Sequence, residues 1–199
     1  IEMAHRRGVC VMVDNTFGCG GYLFRPIEWG ANVVIHSATK WICGHGTSLG
    51  GVVVDGGNFE WSEEKYPLLA APAESYHGLV YKEVFGNAAF AGRVRVDGLR
   101  NFGPSASPFN SFLMLQGLET LSLRAQRCCD NTLALAQWLE GHEAIESVNY
   151  PGLKSNPYHT LACKYLQHGF GGVLTFRVKS GFEGAAGRVS KLELILHVG

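Results

Sequence analysis

Three short apolar runs near the start of the chain limit its folding most: Val9-Cys10-Val11-Met12-Val13, Asn32-Val33-Val34-Ile35-His36-Ser37 and Ser48-Leu49-Gly50-Gly51-Val52-Val53-Val54. They are rich in β-branched residues and lack polar alternation, so they fit strands of a sheet covered on both faces better than an exposed hairpin. A first strand of this kind needs partners on both sides. Composition agrees with extensive internal or interface surface: charged residues make up 17% against the ~25% of an average domain, and 26 glycines are about twice the usual share.

Seventeen Lys+Arg balance seventeen Asp+Glu, and this lack of basic excess argues against a nucleic-acid partner. No apolar run approaches the roughly 18 residues of a membrane-spanning helix, and the basic start has no signal-peptide core, which places the chain in the cytoplasm. The six cysteines form no C-x-x-C pair and the eight histidines make no zinc spacing with them, so reduced thiols and no metal are expected. The absence of an initiator Met and the apolar end at 192–199 read as an interior piece of a longer protein.

Residues 55–82 combine Gly, Pro and aromatics, with Pro67 and Pro72 interrupting any long helix, and read as an excursion over the surface or into an interface. Helical patterning follows over 83–99 and again over 109–140, with a break near Gly117. Leu118, Leu121, Ala125, Cys128, Thr132, Leu135 and Leu139 predict one continuous helix face. Beyond it come a strand at 145–150 ended by Pro151-Gly152, a helix at 158–167, a strand at 172–178 and a loop from Ser180. The expected organisation is a first domain over 1–118, a connecting helix over 119–141 and a smaller α+β domain over 142–199.

The chemistry-bearing residues cluster at the ends of the first two strands. Asp14 follows the first directly, and Ser37-Ala38-Thr39-Lys40 closes the second. Ligands of open α/β sheets collect at the carboxyl ends of strands, so a carboxylate and an amine arriving there can share a crevice. Pyridoxal phosphate would use all of them: Lys40 for the Schiff base, Asp14 to keep the pyridine nitrogen protonated, Ser37 and Thr39 for the phosphate. The same residues also have a purely structural reading, with an Asx turn at Asp14-Asn15-Thr16, turn caps at Ser37 and Thr39, and a solvated Lys40. Gly44-His45-Gly46-Thr47 is not a Walker A loop, because the Lys precedes the glycines. His36 and His45 read as hydrogen-bonded structural histidines.

Val13-Asp14-Asn15-Thr16-Phe17, His36-Ser37-Ala38-Thr39-Lys40-Trp41-Ile42 and Gly44-His45-Gly46-Thr47 resemble the lysine-site region of the Cys/Met-metabolism pyridoxal-phosphate enzymes. Further matches are Tyr76-His77-Gly78-Leu79, Ser107-Pro108-Phe109-Asn110, Leu115-Gln116-Gly117-Leu118-Glu119-Thr120, Tyr150-Pro151-Gly152-Leu153 and Gly169-Phe170-Gly171-Gly172. The excursion from Asp55 to Pro104 favours the O-acetylhomoserine sulfhydrylase branch over the cystathionine synthases and lyases.

The resemblance implies an α/β fold of the fold-type-I (aminotransferase-like) class, with 1–118 part of the cofactor-binding domain, and a homo-oligomer built as a dimer of dimers. It implies pyridoxal 5'-phosphate as cofactor, Lys40 as the catalytic and Schiff-base lysine, Asp14 as the ring-nitrogen partner, and Ser37 and Thr39 as phosphate contacts. The implied reaction is γ-replacement on O-acetyl-L-homoserine by sulfide or a thiol; a cystathionine γ-synthase or γ-lyase, or a non-catalytic homologue, is the alternative. Family residues expected elsewhere, including the glycine-rich phosphate loop and the arginine for the substrate carboxylate, lie outside this chain. Where the family has Gly, this chain has Cys43, and its bulk is expected to strain the lysine loop.

Overall fold

The computed structural model describes residues Ile1–Glu193, with Arg188 described by its backbone alone; the expectation for the apolar end falls largely outside this range. The chain divides into two compact units, Ile1–Ser122 and Leu123–Gly199.

The first unit opens with α1 (Glu2–His5), followed by β1 (Met12–Asp14), β2 (Val33–Ser37) and β3 (Gly51–Asp55). These strands form one sheet in the order β1-β2-β3. β1 runs parallel to β2 with Asp14 opposite Ile35, and β3 runs antiparallel with Gly51 opposite Ser37. β1 is shorter than its apolar run because other groups have claimed the earlier amides. Val9 N–H donates to Ala4 O, Cys10 N–H to the Tyr66 hydroxyl and Val11 N–H to Asn32 Oδ1.

Only the middle strand approaches the expectation of burial on both faces, and even there Ile35 is exposed. Val33, Val34 and His36 of β2 are buried, whereas Met12 of β1 and Val52, Val53 and Val54 of β3 are exposed. β2 has a hydrogen-bonded neighbour on each side; among the described residues β1 and β3 each have one.

The excursion after β3 is more ordered over 55–82 than its Gly and Pro content suggests, and the helical patterning expected over 83–99 is realised as several short helices. Along it run α2 (Pro67–Ala70), α3 (Tyr81–Phe85), α4 (Ala89–Arg93), a π-helical turn at Val94–Leu99 and α5 (Arg100–Phe102). Trp61, Leu69, Tyr81 and Ala89 form a buried core there. Phe59, Trp61 and Tyr66 meet edge to face with centroids 4.8–5.5 Å apart, a favoured geometry for ring quadrupoles. Tyr81 donates its hydroxyl proton to Asp97, whose other oxygen pairs with Arg93 at 2.9 Å.

The expected long helix is two helices, α6 (Pro108–Glu119) and α7 (Leu121–Glu140), and the break falls at Thr120 rather than Gly117. Gly117 instead lets α6 press on the loop after Lys40: a Cβ there would stand 2.1 Å from the Cys43 carbonyl oxygen. The buried residues of α7 are Leu121, Ala125, Cys129, Ala136 and Leu139, while Leu118 and Leu135, expected on the same face, are exposed. The buried face from Leu121 to Leu139 keeps the expected mean spacing of the 3.6-residue turn, but its members differ from the expected set in part.

In the second unit, β4 (Ile145–Asn149) and β5 (Thr175–Val178) pair antiparallel, with a bulge between Ile145 and Ser147. Between them lies α8 (His159–Tyr165), and α9 (Gly181–Val189) replaces the loop expected from Ser180. Of its glycines, Gly184 supplies closeness, since a Cβ there would sit 1.9 Å from Ser180 Oγ, whereas Gly181 and Gly187 face open space. Ala136, Tyr150 and Leu153 form the core here, packed by Leu133, Val148, Phe170 and Leu174.

Candidate active site

The polar groups at the carboxyl ends of β1 and β2 are held by backbone hydrogen bonds that extend the sheet ladder. Asn15 N–H donates to Ile35 O at 2.8 Å, the last rung of the parallel pair. One residue later a side chain takes over. Thr16 Oγ1 accepts from Ser37 N–H at 2.9 Å and donates to Asp14 Oδ1 at 2.6 Å, and Thr16 N–H donates to the same oxygen at 3.0 Å. Those two bonds, the hydroxyl's first, hold the Asp14 carboxyl below the usual carboxylate range. Asp14 is therefore an anion at neutral pH with Oδ1 committed.

Asp14, Ile35 and Ser37 share one face of the sheet by register. Ser37 Oγ and Lys40 Nζ have no hydrogen-bond partner among the described residues, and Lys40 is exposed. Thr39 is employed otherwise: its Oγ1 accepts from Gly50 N–H at 3.0 Å and reaches Gly50 O at 3.4 Å. Ala38 N–H also donates to Gly50 O, at 2.8 Å. The structural reading of these residues is thus realised in part, since the Asx turn forms at Asp14 and Thr39 ties the loop to β3. What it leaves over is one carboxylate oxygen, one hydroxyl and one ammonium group at neighbouring strand ends.

The loop beyond Lys40 closes on itself through Cys43 N–H to Ala38 O at 2.8 Å and Gly44 N–H to Lys40 O at 2.7 Å. Gly44 and Gly46 take left-handed backbone at φ 73° and 66°, as a sharp turn into the next strand demands. Cys43 itself is not left-handed, so its side chain puts no backbone strain in the loop; the strained cysteine is Cys19, at φ 52°. Hydrogen bonds to the Cys43 sulfur, the Thr47 hydroxyl's first, lower its thiol pKa. From behind, Met114 and Gly117 of α6 pack against Gly50 and the carbonyls of Ile42 and Cys43.

The histidines divide. His45 Nδ1 lies 2.7 Å from Cys43 O, a structural bond as expected. His36 is buried with Nδ1 unpartnered among the described residues, and burial pushes its pKa down. Sequence reasoning missed Thr16 and Gly117 as parts of the site. A threonine two residues after a strand-end aspartate was a signal for the first; Gly117 gave none.

At the site Asp14 and Lys40 are exposed, and Ser37 and Thr39 are half-buried. A cavity of about 850 Å³ walled by Trp61, Tyr66, Phe90 and Phe102, and one of about 730 Å³ in the second unit walled by Trp138, Ile145, Phe176 and Phe182, include none of Asp14, Ser37, Thr39 and Lys40. Large apolar cavities are the usual place to look for a ligand, but here the chemistry lies elsewhere, and the donor set decides. A carboxylate with one open oxygen, a free ammonium and a free hydroxyl fit a ring nitrogen, an aldehyde and a phosphate. The residues present therefore suit pyridoxal phosphate.

Known proteins agree with that chemistry. The chain is 55% identical over 181 residues to a homocysteine/cysteine synthase of Saccharomyces cerevisiae, covering 90% of this chain and 41% of that protein. It is 51% identical over 197 residues to O-acetyl-L-homoserine sulfhydrylase 1 of Thermus thermophilus, covering 99% of this chain and 47% of that one. The chain thus spans less than half the length of these relatives. Among solved structures, a Campylobacter jejuni protein described as an O-acetylhomoserine (thiol)-lyase, with N'-pyridoxyl-lysine-5'-monophosphate in its chain, superposes with a TM-score of 0.92 at 34% identity, over 99% of this chain and 49% of its own. The fold-type-I architecture expected from the resemblance holds at that similarity. With the family model for Cys/Met metabolism PLP-dependent enzymes matching residues 1–198, the sheet, the lysine loop and the sequence converge, and the chain belongs to that family.

Proposed function

We propose that this chain carries the lysine site of an enzyme that replaces the acetoxy group of O-acetyl-L-homoserine with sulfide or a thiol. The C–O bond at Cγ breaks to release acetate, and a C–S bond forms in its place, giving homocysteine from sulfide. The observation that carries the reading is the pairing of an ionised Asp14 with an unpartnered Lys40 at adjacent strand ends. The names of the relatives favour this substrate class.

Pyridoxal phosphate, when bound, supplies an electron-poor ring that takes up the electron pair released at an amino acid's Cα. Lys40 Nζ would hold its aldehyde carbon and, once displaced by the substrate amine, carry the proton from Cα. Asp14, a fixed anion with Oδ2 open, would hold the ring nitrogen and keep it protonated. Ser37 Oγ would donate to the phosphate. Thr39 can join it, because its 3.4 Å contact with Gly50 O is long for an O–H···O bond. Its proton can turn to the ligand while Oγ1 continues to accept from Gly50 N–H. In this reading residues 1–118 are part of the cofactor-binding domain and 142–199 the start of a smaller one. Assembly as a dimer of dimers and a cytoplasmic location belong to the same proposal.

The test is to add pyridoxal phosphate to the purified chain, reduce with borohydride and map the labelled peptide. Near-stoichiometric label on Lys40 is expected, and label scattered over surface lysines overturns the site. A separate, unreduced sample of the cofactor-loaded protein is supplied with O-acetylhomoserine and sulfide. Homocysteine supports the substrate; a labelled Lys40 with no homocysteine removes it while leaving the cofactor site standing.

A further inference from the structure

We infer that Thr16 is a positioning residue: its hydroxyl aims the Asp14 carboxylate and locks it to β2, which ends at Ser37 and leads into the turn that carries Lys40. The inference rests on the cofactor reading above and adds to it a residue that touches neither ring nor phosphate. A hydroxyl has one proton to give. Because Ser37 N–H donates into Thr16 Oγ1 at 2.9 Å, that proton is directed to Asp14 Oδ1, 2.6 Å away. The Thr16 amide donates to the same oxygen at 3.0 Å. Two donors on Oδ1 fix the carboxylate plane and leave Oδ2 as the oxygen open to a ligand.

The position in the ladder explains why a side chain is needed. The backbone pairing of β1 with β2 ends at Asn15 N–H to Ile35 O, and beyond it Ser37 N–H bonds the Thr16 hydroxyl. That one oxygen continues the sheet by a further rung and couples two groups that must bind opposite ends of one ligand. The β-branch of threonine restricts χ1 and so holds the hydroxyl in place. Asp14 and β2 then shift together or not at all.

The test compares Thr16→Val, which keeps the shape and deletes the hydroxyl, with Thr16→Ser, which keeps the hydroxyl; Thr16→Ala stands in if Val perturbs the native amide spectrum. In the cofactor-free chain, the Asp14 carboxyl carbon is titrated by NMR. The Val variant is expected to titrate at higher pH than the wild type, with Ser close to it. An Asp14 titration unmoved by loss of the hydroxyl overturns the inference.

A double-mutant cycle on pyridoxal phosphate affinity, read by absorbance, separates positioning from stability. Thr16→Val is expected to weaken binding about tenfold, as loss of a charge-assisted bond does, and Thr16→Ser by less than about twofold. In an Asp14→Asn background Val should cost nothing more. An equal loss in both backgrounds assigns Thr16 to the fold alone and overturns the inference. If the wild-type chain takes no cofactor at Lys40, the cofactor reading falls, and the carboxyl titration still decides Thr16.

Discussion

Around Tyr150 the polar group is consumed: its hydroxyl donates to Gly171 O at 2.8 Å, and the ring is fully buried beside Ala136 and Leu153. At the strand ends near Lys40 the backbone is equally well satisfied, yet Ser37 Oγ and Lys40 Nζ have no partner among the described residues. Both regions obey the rule that buried amides and carbonyls find partners. They differ in the side chains. In the first, the hydrogen bond completes a core; in the second, hydrogen bonds such as those of Thr16 and Thr39 hold a frame around groups left open. A ligand site is legible as this pairing of a satisfied backbone with unsatisfied side-chain tips.

The most direct way to break the comparison is Lys40→Ala. If Lys40 is the open amine of the frame, borohydride reduction in the presence of pyridoxal phosphate should give no specific label in this variant, against a stoichiometric one in the wild type. Persistent specific label on another lysine would show that the open groups are ordinary surface.

On the other side, Leu153→Ala should cost about 2–5 kcal/mol, the usual range for emptying a buried leucine site. Leu153 is 2% exposed and packs in the Tyr150 core. Amide exchange over residues 145–178 should accelerate accordingly. A loss under about 1 kcal/mol would mean that this core is loosely packed and that the contrast is overdrawn.

Tyr150 sharpens the point through pH. Burial, helped by the nearby Cys129 and Asp130, pushes its pKa up to about 12, against about 10 in an unfolded chain. A raised pKa favours the protonated fold, so its contribution is present in full below about pH 10 and is lost as pH rises toward about 12. The loss amounts to roughly 2–3 kcal/mol across that window. Denaturant melts of the wild type should therefore fall more steeply than those of Tyr150→Phe between about pH 10 and about pH 12. Parallel curves would show that the hydroxyl is not held neutral by its surroundings.

How much of this was readable beforehand follows the same division. β2 was legible because its apolar run is unbroken and both its neighbours form. β1 was overextended because Tyr66 and Asn32, distant in sequence, claim the amides of Cys10 and Val11. The aromatic core of the excursion was hidden behind Pro and Gly, which mark turns but are silent about what packs between them. The placement of Asp14 at one strand end and Lys40 just beyond another was legible because strand ends can be read from the strands themselves. Thr16 stands in the sequence as part of a turn and of the family-like motif but with no role of its own, since its bond to Ser37 crosses 21 residues. Gly117 reads as a helix break, because its close approach to Cys43 O leaves no mark on the local pattern.

The smallest expected effect concerns Cys19, in the turn that leads away from Asp14. The cysteine expected to carry strain was Cys43; the left-handed backbone falls instead on Cys19, at φ 52° and ψ 56°, next to Gly20 at φ 63°. A side chain in that region costs about 1 kcal/mol relative to glycine. Cys19 is nevertheless fully buried, and removing a small buried side chain while loosening the unfolded chain costs a similar amount. The two terms oppose each other, so Cys19→Gly should lie within about 0.5 kcal/mol of the wild type. Cys19→Val keeps the burial and worsens the strain, because a β-branched residue tolerates positive φ least, and it should be destabilised by more than about 1 kcal/mol. Equal melting of the Val variant and the wild type would mean that the turn relaxes around residue 19. The frame beside Asp14 would then owe its shape to the Thr16 bonds rather than to the turn that follows them.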